Sequence, residues 1–143
     1  MKETVLIYIE KDNKYLLIHK VNKDMNFNKY SGVGGKLEKG ETPIEAAIRE
    51  TKEETGLSII PIFKGIVNFH SNDYVEIMYL YKAYEFEGII TPSDEGELIW
   101  YDKEKLDELP MWEGDYIFLK KIDEPGTFEL SLYYEGEKLV KVI

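Results

Sequence analysis

The chain predicts a mixed α/β sandwich, a central sheet with helices packed on it. Two observations lead there. Runs rich in Val, Ile, Tyr and Phe recur along the whole chain, and one well-capped helix stands between them, with further helical stretches only late in the chain.

The first two runs, Thr4 to Ile9 and Tyr15 to Val21, are separated by the turn residues Lys11-Asp12-Asn13-Lys14 and read as a hairpin. From Asn22 to Tyr30 the chain is polar with isolated aromatics, and Gly32-Val33-Gly34-Gly35 follows, so this stretch reads as loop. Thr42-Pro43-Ile44-Glu45 supplies an N-cap hydroxyl, a proline at the first helical position and a glutamate placed to close a capping box; the helix should run to Gly56. Ile44, Ala47, Ile48 and Thr51 fall at helical spacing and are expected to face the core, leaving the chemistry to another face.

Leu57 to His70 and Tyr74 to Phe86 predict a longer hairpin around Ser71-Asn72-Asp73. A strand near Leu98 to Tyr101, a helix from Asp102 to about Leu109, and a second helix from Trp112 to Lys121 come next. Phe128 to Tyr134 and Lys138 to Ile143 close the chain around Glu135-Gly136. There are no repeats or linkers, and one domain spanning residues 1–143 is expected.

With 18 basic and 28 acidic residues the formal net charge is −10, which repels phosphate backbones and argues against binding a nucleic-acid polymer. A small anionic ligand would need a cation. The absence of cysteine removes disulfides, a thiol nucleophile and cysteine zinc sites, and fits a cytoplasmic protein. Val5 to Ile9 is too short for a signal-peptide core, and no stretch approaches the roughly 18 apolar residues of a membrane span. A monomer or homodimer without a membrane partner is expected.

Glu50, Glu53 and Glu54 stand at i, i+3 and i+4, placing three carboxylates together on the helix. Each like-charge pair opposes the helix by roughly 0.2–0.5 kcal/mol, and negative charge near a C-terminus also opposes the macrodipole. Either the face is simply solvated or a hard divalent cation, Mg²⁺ or Mn²⁺, compensates it. Arg49, the sole arginine, offers a rigid fork that orients a catalytic carboxylate or makes an ordinary bridge to Glu45 or Glu53. His19 and His70 have no partner at metal-ligand spacing, and neither a dinucleotide fingerprint nor a P-loop occurs.

Gly35, five residues, Glu41, seven residues, Arg49-Glu50, two residues, Glu53-Glu54, one residue and Gly56-Leu57 together resemble the 23-residue signature of the Nudix hydrolases. Every fixed polar and glycine position is filled; Thr51 departs from the aliphatic residue usual there, which concerns packing. The resemblance implies a Nudix-type α/β/α sandwich with a mixed central sheet, and hydrolysis of a nucleoside diphosphate linked to another group. It also implies cation binding by Gly35, Glu50, Glu53 and Glu54. Glu50 or a later loop glutamate would take the proton of the attacking water.

Flanking residues resemble the MutT-type enzymes that remove oxidised purine nucleotides such as 8-oxo-dGTP, by cleavage to monophosphate and pyrophosphate. Lys29 to Glu38 is similar to the segment leading into their signature, and Ser93-Asp94-Glu95 to a loop bearing an additional metal ligand, here Glu95. Leu109 to Asp115 resembles the segment that brings an indole and a carboxylate, here Trp112 and Asp115, to the base. On the residues alone, Trp112 reads equally as a core indole and Asp115 as a helix-start carboxylate. Two positions depart from the base pocket of that group: Ser31 stands in place of an asparagine, and Gly114 in place of a second acidic residue. ADP-ribose or a dinucleoside polyphosphate is the alternative substrate, and a non-catalytic binding module the alternative class.

Overall fold

The computed structural model describes residues 2–21, 27–91 and 94–143; Ser93 and residues 22–26 of the expected loop lie outside the described residues. The chain order is β1 (Lys2–Lys11), β2 (Lys14–Lys20), β3 (Tyr30–Ser31), β4 (Val33–Lys36), α1 (Pro43–Thr55), β5 (Ser58–Ile59), β6 (Ile62–Ser71), β7 (Tyr74–Ala83), β8 (Phe86–Glu87), β9 (Gly96–Asp102), α2 (Glu113–Lys121), β10 (Phe128–Glu135) and β11 (Lys138–Val142).

Among the described residues nine strands form one sheet, seven of them in the order β11-β10-β6-β7-β1-β2-β3 with β4 branching from β1 and β9 from β2; it is mixed because β1 runs parallel to β7 and β10 parallel to β6. β1 gives one edge to β7 and forks the other: β4 pairs with it along Thr4–Ile7, while β2 pairs only at Ile9–Lys11 and then diverges to β9. Alternation along β1 builds two cores, one on each face of the sheet. Val5, Ile7 and Ile9 pack with Ala46 and Ala47 of α1, and Tyr8 packs with Phe118 and Leu119 of α2. The expected α/β/α sandwich is therefore the observed one.

Three local expectations are corrected, the third in part. The glycine-rich stretch is not loop but strand β4, and glycine is what lets it lie so close: a Cβ at Gly34 would come within 1.9 Å of the Val5 carbonyl oxygen. The run from Leu57 to His70 is two strands, broken at Ile60-Pro61, and the first of them pairs with β8 in a separate two-stranded sheet. The helical stretch expected after Asp102 is present as a 3₁₀ helix, Lys103–Glu108, capped by Asp102 and Leu109.

The inward face of α1 also differs. Ala47 and Thr51 are buried as expected, joined by Ala46, Glu54 and Thr55, whereas Ile44 and Ile48 are exposed. Small side chains let the helix approach β4 closely, and the two threonines spend their hydroxyls within the helix, Thr51 Oγ1 on the Ala47 carbonyl and Thr55 Oγ1 on the Thr51 carbonyl. The rest of the helix is as expected, with the Thr42–Glu45 capping box in place and Gly56 as a left-handed C-cap at φ 82°.

An ionic cluster around one buried lysine joins distant parts of the chain. Lys82, 1% exposed, lies 2.7 Å from Glu10 and 2.6 Å from Asp123, and Lys103 contacts the same two carboxylates at 3.0 Å. Tyr15 donates its hydroxyl to Asp123. Burial opposes the charge on Lys82, but the two carboxylates hold its pKa well above the ordinary lysine value.

Candidate active site

Arg49 sits at the hub of the signature. Its Nε and Nη2 donate to the two oxygens of Glu41 at 2.7 and 2.9 Å, Nη2 also reaches the Lys36 carbonyl, and Nη1 donates to Glu50 at 2.9 Å and Glu53 at 3.2 Å. The fork thus holds Glu50 and bridges to Glu53. Its bidentate partner, however, is Glu41, a signature position to which the sequence assigned no task. Glu45 closes the capping box instead. Hydrogen bonds from Arg49, then from the Glu38 backbone, hold the Glu41 carboxyl down at about 2.

The three helix carboxylates differ in environment. Glu53 is the exposed one, its side chain 58% accessible. Burial raises the Glu50 pKa above the usual carboxylate range despite Arg49. Gly35 lies directly against Glu50: a Cβ there would stand 2.5 Å from its Cδ, so this carboxylate fills the space that a side chain at 35 would take. Glu54 is buried, accepts from the Gly34 N–H at 2.8 Å through Oε2, and leaves Oε1 buried with no hydrogen-bond partner among the described residues. Burial first, and the neighbouring Glu95 carboxylate second, push its pKa up to about 9, while Glu95 itself is lowered. Glu95 also lies 3.7 Å from Lys20, which sequence reasoning did not single out.

Among the described residues no three acidic or histidine side chains converge into a ready-made cation cage. Arg49 holds Glu50 and Glu53, and Glu54 is turned onto β4. The donor set nevertheless suits a hard cation, with oxygen donors only, one of them a buried carboxylate oxygen without a hydrogen-bond partner among the described residues, beside a second carboxylate.

A second group gathers about 60 residues further along. Trp112 precedes α2 and meets Phe69 and Tyr134 with ring planes nearly perpendicular, while the Lys29 ammonium lies 4.8 Å from its ring centroid. Asp115, in the first turn of α2, is 9% exposed, and burial raises its pKa to about 7 against the opposing effect of Lys29. Ser31 donates its hydroxyl to the adjacent Gly32 carbonyl. Gly114 has no room for a side chain: its N–H donates to the Tyr134 hydroxyl at 2.7 Å, and a Cβ would meet Leu132 at 2.4 Å. The groove of about 820 Å³ lined by Lys36, Glu38, Glu41 and Tyr74 includes neither the buried carboxylates nor the indole.

The NUDIX domain family model matches residues 2–122, which span the whole of this geometry apart from the last two strands. The chain belongs to the Nudix hydrolase family. Among Nudix relatives it is 28% identical over 142 residues to the oxidized purine nucleoside triphosphate hydrolase of Danio rerio, covering 97% of this chain and 90% of that one. Over 68 residues it is 47% identical to the ADP-ribose pyrophosphatase of Methanocaldococcus jannaschii, a match to 45% of this chain and 36% of that protein. The crystal structure of the mutator MutT protein from Bacillus halodurans superposes with a TM-score of 0.91 at 27% identity, covering 100% of this chain and 97% of that one. This Nudix hydrolase is therefore of MutT type.

Proposed function

We propose that this Nudix hydrolase is a Mg²⁺-dependent pyrophosphohydrolase that cleaves purine nucleoside triphosphates, oxidised ones of the 8-oxo-dGTP kind foremost, to the monophosphate and pyrophosphate. The observation that carries the cation-dependent reading is Glu54 Oε1, a buried carboxylate oxygen with no hydrogen-bond partner among the described residues, near the Glu95 carboxylate. Glu50, Glu53, Glu54, Glu95 and the Gly35 carbonyl are the groups that would hold Mg²⁺, or Mn²⁺ in its place. When bound, the cation supplies neutralisation of the phosphates and a polarised water.

The chain's own residues do the rest. Arg49, anchored on Glu41, fixes one oxygen of Glu50 and leaves the other to face the substrate. Glu50 or Glu95 accepts the proton of the attacking water, since both belong to this carboxylate group. Trp112 stacks on the base, and Asp115, whose raised pKa lets it donate or accept near neutrality, hydrogen-bonds the base edge beside Ser31. Support for this substrate class comes from the Danio rerio relative named above.

A second reading, hydrolysis of ADP-ribose or a related derivative, is favoured by the stretch similar to the archaeal pyrophosphatase. A Mg²⁺-supplemented panel of normal and oxidised nucleotides, nucleotide sugars and dinucleoside polyphosphates separates the two. Release of pyrophosphate from oxidised dGTP with the highest kcat/KM is the expected result; preference for ADP-ribose, which yields no pyrophosphate, overturns it. Asp115→Ala should lower kcat/KM for oxidised dGTP more than for ordinary dGTP, and an unchanged ratio would make the carboxylate structural.

A further inference from the structure

Beyond the two acidic and aromatic groups already assigned to the base, the indole has a cationic neighbour fixed by the far end of the chain. Lys29 Nζ lies 4.8 Å from the Trp112 ring centroid and 2.6 Å from Glu137 Oε1, in the turn between β10 and β11, 108 residues away in sequence. Its side chain is 18% exposed, whereas that of Glu137 is 63% exposed, so the cation lies in the wall and its anchor outside. The same hairpin is fastened to the start of α2 twice more, by the Gly114 N–H on the Tyr134 hydroxyl and the Leu139 N–H on Glu113. These strands lie past the residues that the family model matches.

Beside Asp115, two further positions that could read a base here are spent or missing. Ser31 is turned onto the Gly32 carbonyl, and position 114 has neither a side chain nor space for one. An ammonium carries three donors and no acceptor. It therefore discriminates at position 6 of a purine, where a keto oxygen accepts and the amino group of adenine only donates.

We infer that Lys29, held beside Trp112 by Glu137, is a specificity-determining residue that donates to the carbonyl edge of a keto purine and so selects guanine-type bases over adenine. This rests on the reading of Trp112 as the base platform. Glu137 is a positioning residue that acts through Lys29, and the final hairpin becomes part of the base-recognition apparatus.

Calorimetric titration of the full chain with dGMP, 8-oxo-dGMP and dAMP tests the inference without turnover. Lys29→Met keeps the aliphatic stem and should weaken binding of both keto purines about tenfold, the worth of a lost charged donor, while dAMP is unaffected. Lys29→Arg should restore keto-purine binding. The exchange Lys29→Glu with Glu137→Lys keeps an ion pair across the same gap, so melting temperature stays near that of the parent while keto-purine binding is lost. Equal weakening of all three ligands by Lys29→Met, no weakening, or full binding in the exchanged pair would overturn the inference and leave Lys29 as a clasp. Failure of the underlying reading looks different: the unaltered protein would then bind none of the three monophosphates.

Discussion

Adjacent glycines on β4 should respond to the same substitution in opposite ways. At Gly35 an added Cβ meets only the end of a side chain, the Glu50 carboxyl, with Cδ at 2.5 Å. Reaching ordinary van der Waals separation of about 3.5 Å requires the carboxylate to move outward by about 1 Å. A glutamate can swing that far, so the fold loses little. The weakened Arg49–Glu50 bond is partly offset by the gain from replacing a strand glycine, and the net change should stay within about 1 kcal/mol, or about 4 °C in melting temperature. Catalysis should suffer far more, because a displacement of about 1 Å at a reacting group costs about a hundredfold in rate, equivalent to about 2.7 kcal/mol.

At Gly34 the added Cβ meets backbone instead, 1.9 Å from the Val5 carbonyl oxygen and 2.9 Å from its carbon. No rotamer relieves that contact, so β4 must leave β1 and take with it the Gly34 N–H that Glu54 accepts. Gly34→Ala should cost more than about 4 kcal/mol and lower the melting temperature by more than about 15 °C. Thermal unfolding followed by circular dichroism, together with Mg²⁺-dependent pyrophosphate release at saturating nucleotide, measures both effects. Turnover of Gly35→Ala within threefold of the parent, or equal loss of stability in the two variants, would refute the reasoning.

Glu53→Gln should leave the melting temperature unchanged, since its side chain is exposed, yet remove most turnover at saturating Mg²⁺; near-parent rates would take Glu53 out of the cation site. Asp115, ordinarily near 3.8 and raised to about 7 in the fold, keeps a proton that the unfolded chain has already released between those values. Stability present at low pH should therefore fall as pH rises from about 4 to about 7, and Asp115→Asn should flatten that slope in denaturant titrations. Glu54 must give up its proton to hold a cation, so Mg²⁺ affinity should rise with pH towards about 9. Calorimetry in buffers of different ionisation enthalpy should then register proton release, and its absence would place the cation elsewhere.

The signature helix was readable because its caps are local: Thr42, Pro43, Glu45 and Gly56 act on backbone groups within one turn. Its inward face was readable in part: Ala47 and Thr51 are buried as their spacing implies, but closeness of packing admits only small side chains there, and Ile44 and Ile48 were left outside. Strand β4 escaped detection because glycine has low intrinsic strand preference and is needed here only for the close approach to Val5. The motif carried the carboxylates and Arg49, while the bidentate pairing with Glu41, and the meeting of Lys29, Trp112 and Glu137, depend on long-range packing that no spacing encodes. Lys82 was likewise hidden within a run that reads simply as half-buried sheet.

That lysine and its three partners, Glu10, Lys103 and Asp123, have a bearing on how such a sequence can drift. Two ammonium and two carboxylate groups balance one another from four separate segments, and neutralising Lys82 alone leaves both acids to share Lys103. Breaking one member of a buried ion group is costly, whereas exchanging the whole group for apolar residues of similar volume is often neutral or stabilising. Lys82, the one member inside, is thus the position whose exchange is tolerated most readily when Glu10, Lys103 and Asp123 are exchanged with it.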